Sequence, residues 1–475
     1  MQAVSNNFRN MLLRNLTLLS SIAIVILLCI TNTNCANIVP PVGGTKDTIA
    51  PLLVKATPTI NSLNVNTKTI TMVFNEYVTL EDAFNKISIQ PLPILPPNIT
   101  SKLNTVTIKL KDTLLQNTTY TIGINGAIKD VNEGNKLTDF NYTFSTGNYI
   151  DSGKLQGRVS LAETGGIDST LIVILHTNLT DSAVYKTKPL YMAKLSGTGT
   201  FTFTNLPTNT YAIYALSNEG NQKKYQSLAQ LFAYNNVTVN PKLNTDSSIN
   251  LYAYVQEKDV PKPPTASVAA NALKDKYKVT TNLQSGEYDI LQPLVLTYSQ
   301  KLSKIDTTLI QLTDTVGNTI AGRIIVVDST LKKISIRASW QLGTKYKLIL
   351  PKGYATLANN TNPPKTDTIK FITKQAVDYG KVIIRFNNLN LSQHNVLQLV
   401  QNDNIMVSYK ITQLKFTIPL LTPGQYTLRL LNDVNNDGVW TPGSFFTKRK
   451  QPEIITLIPK QLDVRGDWDN ELEIE

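Results

Sequence analysis

Along most of the chain, apolar and polar residues alternate in short runs rich in Thr, Ile, Val and Tyr. T-I-T-M-V-F (69–74), V-T-I-K-L (106–110) and Y-T-I-G-I (120–124) are three of them. A period of two puts every other side chain on one face of a sheet, so each run predicts a half-buried strand. Clusters of Asn, Asp, Gly and Pro break the runs at intervals of about 8–12 residues and supply the turns. Beyond the first 35 residues no segment holds a helical period for three turns. The chain is therefore predicted to be all-β, built of tandem β-sandwich modules.

The runs repeat. N-T-T-Y-T-I-G-I (117–124) matches G-T-K-Y-K-L-I-L (343–350), which sets Tyr120 opposite Tyr346, and Phe144 similarly corresponds to Phe371. V-F-N-E-Y-V (73–78) matches T-Y-S-Q-K-L (297–302). A second pair, 201–216 with 416–431, aligns at a constant offset, with Phe201, Leu206, Tyr211 and Leu216 facing Phe416, Leu421, Tyr426 and Leu431. Four matches in one order predict an internal duplication, A–B–A′–B′. The boundaries fall at 48–148 for A, 150–256 for B, 269–375 for A′ and 377–475 for B′. A Pro-rich linker at 257–268 (V-P-K-P-P-T within it) joins the halves, and few contacts are expected to cross it.

The first 35 residues follow another logic. A polar stretch with Arg9 and Arg14 and no acid precedes the apolar run L-T-L-L-S-S-I-A-I-V-I-L-L-C-I (16–30). A positive flank and a short apolar core predict a secretory signal over 1–34, the run itself being short for a bilayer span. Cys35 just past that core is placed for the diacyl modification of bacterial lipoproteins, which would anchor the chain in outer-membrane lipid through a tether at 35–47. Asn32 and Asn34 stand where the usual motif has Leu and a small residue, so cleavage to a soluble secreted protein is the competing reading. Cys29 leaves with the leader, and the mature chain then holds no internal disulfide.

Composition narrows the chemistry. The net charge of +12 falls to +10 once Arg9 and Arg14 are removed, and no basic block exceeds Lys448-Arg449-Lys450, so no nucleic-acid footprint is present. With two His and two Cys, Cys/His zinc sites, disulfide frameworks and Ser-His-Asp triads are poorly supplied. His176 and His394 read as structural residues.

C-A-N-I-V-P-P-V-G-G-T-K-D-T-I-A-P-L-L (35–53), F-N-E-Y-V-T-L (74–80), N-T-T-Y-T-I (117–122) and the run from Asp130 to Gly134 ahead of F-S-T-G (144–147) resemble the SbsA-type Ig-like domain. More narrowly, they resemble the N-terminus of Bacteroidota outer-membrane lipoproteins carrying that domain. B and B′ resemble transthyretin-like or carboxypeptidase-regulatory-like sandwiches. The resemblance implies a lipid-anchored protein without catalytic chemistry of its own, with other envelope proteins, a membrane barrel or lipoproteins, as partners.

One motif points to a ligand. Asp433, Asn435 and Asp437 place oxygen side chains at alternate positions, Gly438 permits the turn and Val439 offers a carbonyl, as in the first half of a calcium loop. The twelfth position is Ser444 rather than an acid, so Glu453 or Asp467 would have to complete a Ca2+ site. An ordinary Asn/Asp/Gly hairpin turn is the alternative. The copy in B, Asn218 to Lys223, lacks the carboxylates. Carboxylate pairs such as Glu76 with Glu81 or Asp82 are a very weak signal of glycosidase chemistry, the copy having Gln300 in place of Glu76, and Arg465-Gly466-Asp467 spells an adhesion tripeptide of small weight. Asp-[Ser/Thr]-apolar tripeptides make Thr48, Thr113, Ser182, Thr315 and Thr368 candidate O-glycosylation acceptors, or plain strand-end residues. The expected role is an accessory or scaffold subunit of an outer-membrane assembly, secretion or transport complex. The alternative is a surface glycan- or peptide-binding lipoprotein, which exposed aromatics such as Tyr211, Tyr214 and Tyr225 would favour.

Overall fold

The computed structural model describes residues 2–31, 46–241, 248–256, 277–357, 363, 365–446 and 448–475. Cys35 and the Pro-rich linker at 257–268 lie outside the described residues. Gln2–Thr31 is a single helix, and its stretch Arg9–Leu27, with mean hydropathy 1.7, is long and apolar enough to cross a membrane. The apolar run expected from position 16 lies on this helix. That run begins after Asn15, whereas the helix carries the apolar surface back through Met11, Leu12 and Leu13. Such a helix suits a signal sequence or a membrane anchor.

Nearly all the rest is β-sheet. In A, Leu53–Thr57, Thr69–Phe74, Thr105–Lys109 and Asn98–Lys102 form one antiparallel sheet, and Ser88–Gln90, Thr119–Gly123 and Asn141–Ser145 form another. The alternation in Thr69–Phe74 buries Ile70, Met72 and Phe74, with Ile70 opposite Ile108 and Met72 opposite Val106. Tyr120 stacks on Phe144 at 5.1 Å between centroids, and its phenol oxygen accepts the Leu115 amide. In A′, Tyr346 stacks on Phe371 and accepts the Gln341 amide, also five residues upstream. Thr146 and Thr373 bridge the same loop in their respective copies, accepting from the Thr118 and Thr344 amides and donating to the Leu115 and Gln341 carbonyls.

B and B′ share a different sandwich. Gly153–Leu161 pairs antiparallel with Thr200–Leu206 and parallel with Ile249–Ala253. Gly380–Phe386 pairs in the same way with Lys415–Leu421 and Asp469–Ile474. A Cβ on Gly157 would lie 2.1 Å from the Ile249 carbonyl oxygen, so the three-strand packing tolerates only glycine there. Tyr211 and Tyr426 each donate to a carbonyl four residues upstream.

The second sheet of B (Tyr191–Lys194, Leu171–His176, Ala212–Ser217, Phe232–Tyr234) departs from alternation. Every residue of Leu171–His176 is buried, because both faces of the sheet are covered. One face closes the sandwich core. The other carries Ile172, Ile174, Tyr214, Phe232 and Tyr234, and its cover includes Tyr225 from B and Phe445 from B′. Phe445 is 1% exposed and lies 4.8 Å from the Tyr234 ring and 5.2 Å from Phe232. Arg449 sits over Tyr234 and Phe445 and pairs with Asp181, Gln451 donates to the Tyr234 carbonyl, and the Ile455 amide donates to Ala162. The two halves are thus joined through side chains, contrary to the expectation that few contacts would link them. Tyr211, Tyr214 and Tyr225 are all buried and present no glycan-stacking face. Alternation assigns these rings to sides of a strand and says nothing of a second cover.

His176 lies in this doubly covered sheet, 2% exposed, with Nδ1 3.5 Å from the Thr187 hydroxyl and no hydrogen bond at Nε2. Burial, with Lys224 adding to it, pushes its pKa down to about 4. The folded pKa is lower than the unfolded value, so stability is intact above pH 6.5 and falls as pH drops toward 4, by about 3 kcal/mol in all. Urea unfolding followed from pH 7 to 4.5 should show this loss, and His176→Leu should flatten it. Phe445→Ala should destabilise by about 3–5 kcal/mol and, in hydrogen exchange, deprotect Leu171–His176, a strand far from it in sequence. Unchanged exchange there would mean that Phe445 is not a structural cover.

Candidate functional site

Strand Gly424–Asn432 ends at a buried acid. Asp433, fully excluded from solvent, accepts the Asp437 amide at 3.1 Å on Oδ1 and the Gly438 amide at 2.7 Å on Oδ2. Asn435 Oδ1 accepts the Asp437 amide and Asp437 Oδ1 the Val439 amide. Asn436 and Gly438 take left-handed backbone, φ 59° and 82°, which curls the loop round its own oxygens. Glu453, 2% exposed, closes the open side: Oε1 accepts the Asn435 amide and Oε2 the Thr441 amide, while its carbonyl accepts the Trp440 indole N–H. Of the acids proposed to replace Ser444, the structure therefore brings Glu453 to the loop. Ser444 is tied to Lys450 in a backbone bridge, and Asp467 lies beyond the far end of strand Ile454–Val464, its amide bonded to the Tyr379 carbonyl.

The donors available to a cation here are mixed: carboxylates of Asp433 and Asp437, the Asn435 amide oxygen and the Val439 carbonyl. Among the described residues no group of three or more His, Cys, Asp or Glu is placed to hold a metal. The Lys410 ammonium donates to the Asn436 carbonyl at 2.7 Å and brings a positive charge to the loop's edge. In B the matching loop keeps the fold and changes the chemistry. Asn218 Oδ1 accepts the Lys223 amide, Asn221 and Lys223 are left-handed at φ 57° and 55°, and the Lys223 ammonium donates to Asn221 Oδ1 at 2.7 Å.

The remaining candidates are separated. Glu81 accepts Lys86, Lys136 and Lys129 at 2.6, 2.8 and 2.9 Å, and hydrogen bonds from Lys136 first, then Lys86 and Lys129, hold its carboxyl far below the usual range. A carboxylate so held is no general acid. Glu76 is raised, by burial first and then by Asp130, Asp47 and Glu133, and Asp82 is bonded to the Asn85 amide group. Thr48, Thr113, Thr315 and Thr368 are exposed and Ser182 is half-buried. The Asp preceding each has a local partner. Asp47, Asp112 and Asp314 accept backbone amides, Asp181 pairs with Arg449, and Asp367 lies 3.8 Å from Lys365. Arg465, Asp467 and Trp468 are exposed in the final turn, with Arg465 over the Trp468 ring.

The two-sheet Tyr120 module has a counterpart among known families. Residues 47–146 match the bacterial Ig-like domain. No curated protein sequence matches the chain. The crystal structure of the S-layer protein SbsC is similar over 89% of this chain and 54% of that one, at 14% identity and a TM-score of 0.17. The TIE protein of Bacillus anthracis is similar over 91% and 76%, at 11% identity and 0.15, and BcpA, the major pilin subunit of Bacillus cereus, over 68% and 99%, at 8% identity and 0.16. The chain spans about half the length of the SbsC structures it matches. TM-scores of this size reflect no shared overall arrangement; the Ig-like domain match stands on its sequence.

Asp433→Ala strips acceptors from two amides in a buried loop and should cost about 2 kcal/mol with or without calcium. A thermal melt of the full chain that rises with millimolar calcium, and a rise lost in Asp437→Ala, would assign the loop to Ca2+ in the weak range of about 0.1–1 mM. A melt indifferent to calcium would leave it a hydrogen-bonded turn.

Proposed function

We propose that the chain is a non-catalytic lipoprotein of a Bacteroidota-type outer membrane, held by acyl chains on Cys35, whose β-sandwiches form an accessory scaffold for an envelope assembly, secretion or transport complex. The observation that carries this reading is the junction chemistry. Gln90 exchanges two hydrogen bonds with the Met192 backbone between A and B, Phe445 is sunk into B from B′, and Tyr379 of B′ donates to Asp289 of A′. Modules joined this way transmit position from one to the next, as a scaffold must. Of the carboxylates considered for a dyad, Glu81 is held by three lysines. Calcium at Asp433, Asn435, Asp437 and Val439 would stiffen the B–B′ joint, since Trp440 on the same loop packs against both modules. O-linked glycans at Thr48, Thr113, Thr315 and Thr368, with Ser182 at the rim of the joint, would shield the surface.

Native purification in mild detergent should recover stoichiometric envelope proteins with the wild type, and intact mass should show acyl chains on Cys35. Cys35→Ser should carry no acyl mass and leave the membrane fraction. A wild-type chain that is unacylated, or acylated and always alone, would defeat this reading.

A further inference from the structure

A cleft of roughly 660 Å³ opens between A and B, within the size range of small-ligand sites. Its wall from A is the segment around the short helix Ala83–Lys86 and the proline-rich loop 91–97. Its wall from B is the strand Tyr191–Lys194 and the loop 218–223. Phe84 and Ile94 stand at its edge, 68% and 70% exposed, an outlay of apolar surface that no packing within the chain requires. Among the described residues Lys188, Lys194 and Lys223 line it, and no Asp or Glu does.

The three ammonium groups are held on carbonyl and amide oxygens rather than on carboxylates. Lys188 donates to the Ile94 carbonyl at 3.2 Å, Lys194 to the Asn85 carbonyl at 2.8 Å and Lys223 to Asn221 Oδ1 at 2.7 Å. Neutral acceptors orient a lysine without cancelling its charge, and each ammonium has further donors to offer. The Lys223 pKa is drawn below the ordinary value by burial and then by Lys188 and Lys194, so the three share one field. By contrast, Lys86, Lys129 and Lys136 of A share the carboxylate of Glu81. The cleft thus gathers three lysines that are held on neutral oxygens. The loop that delivers Lys223 is the counterpart of the acidic loop of B′, with left-handed backbone shared at Asn221 and Asn436 and Lys223 where Gly438 stands. The duplicated turn bears acids in B′ and a base in B, at the point where it meets A.

We propose that the cleft between A and B binds an acidic polysaccharide, with uronate carboxylates on Lys188, Lys194 and Lys223 and a sugar ring laid on Phe84. Lysines anchored to separate segments suit charges repeated along a polymer better than one focal phosphate, for which a planar guanidinium fork is the usual recogniser. The neutral lining, Asn85, Asn98 and Gln222 among it, offers amide groups to hydroxyls. An acidic peptide fits less well. Peptide capture by strand addition needs free backbone N–H groups along a rim, and Pro93, Pro96 and Pro97 remove them there. The inference goes beyond the scaffold reading and does not depend on it.

Titration of the full chain in detergent with oligogalacturonides, their methyl-esterified forms and polyglutamate tests the proposal. The free-acid sugar should bind, with an affinity that falls as salt rises. The esterified sugar and polyglutamate should bind at least about tenfold more weakly. Lys188→Gln with Lys194→Gln should cost about tenfold and Phe84→Ala several-fold, at unchanged melting temperature, as expected for exposed side chains. Hydrogen exchange should map protection to 84–99 and 188–223. No binding of the free-acid sugar, equal binding of polyglutamate, indifference to the lysine substitutions, or protection elsewhere would each overturn it.

Discussion

A sheet that is apolar on both faces must be covered twice, and in this molecule the second cover includes a side chain from the far end of the chain. Leu171–His176 runs through B with Val173 and Leu175 in the sandwich core and Ile172, Ile174 and His176 on the reverse. Without Phe445, the reverse face would leave Tyr214, Phe232 and Tyr234 open to water, and a patch of that kind is a liability in any soluble domain. The partner lobe between Trp440 and Ile455 takes its shape from this demand. The Glu453 bonds and the Ser444–Lys450 bridge shape that lobe from within B′, and the Arg449–Asp181 pair fixes it against B.

Strand positions were legible because one-faced burial leaves a period of two. Thr69–Phe74 and Lys345–Leu350 show it cleanly, and the pairing of Tyr120 with Tyr346 extends to their hydrogen bonds with amides five residues upstream. The pattern failed where burial was two-faced. Tyr214 and Tyr225 looked like solvent-facing rings, since nothing local announces that residues some 200 positions later will cover them. The acidic loop was legible as a turn, and its choice of Glu453 over Asp467 was not, because strand Ile454–Val464 decides which acid returns to the loop.

The lysine cleft had no sequence signature at all. Lys188 lies in a loop, Lys194 ends strand Tyr191–Lys194 and Lys223 lies in the loop after Ala212–Ser217, while Phe84 and Ile94 belong to another module. Their convergence depends on the reciprocal bonds between Gln90 and Met192 that seat A against B. A basic chain with its charge spread evenly in sequence can still concentrate it in space, and a net charge says little about where. The duplicated turns make the same point from another side: with two left-handed positions in common, one carries carboxylates in B′ and the other a lysine in B.

The long reach of the Phe445 contact bears on how the chain is made. B is synthesised well before B′, yet its reverse face is finished only when residues near 445 arrive, more than two hundred positions after Tyr234. During that interval B is a sandwich with one sticky side, and contacts of such sequence separation are the slow ones to form. Chain growth from the N-terminus holds B in this state until the last module emerges, so the folding of B is completed only together with that of B′.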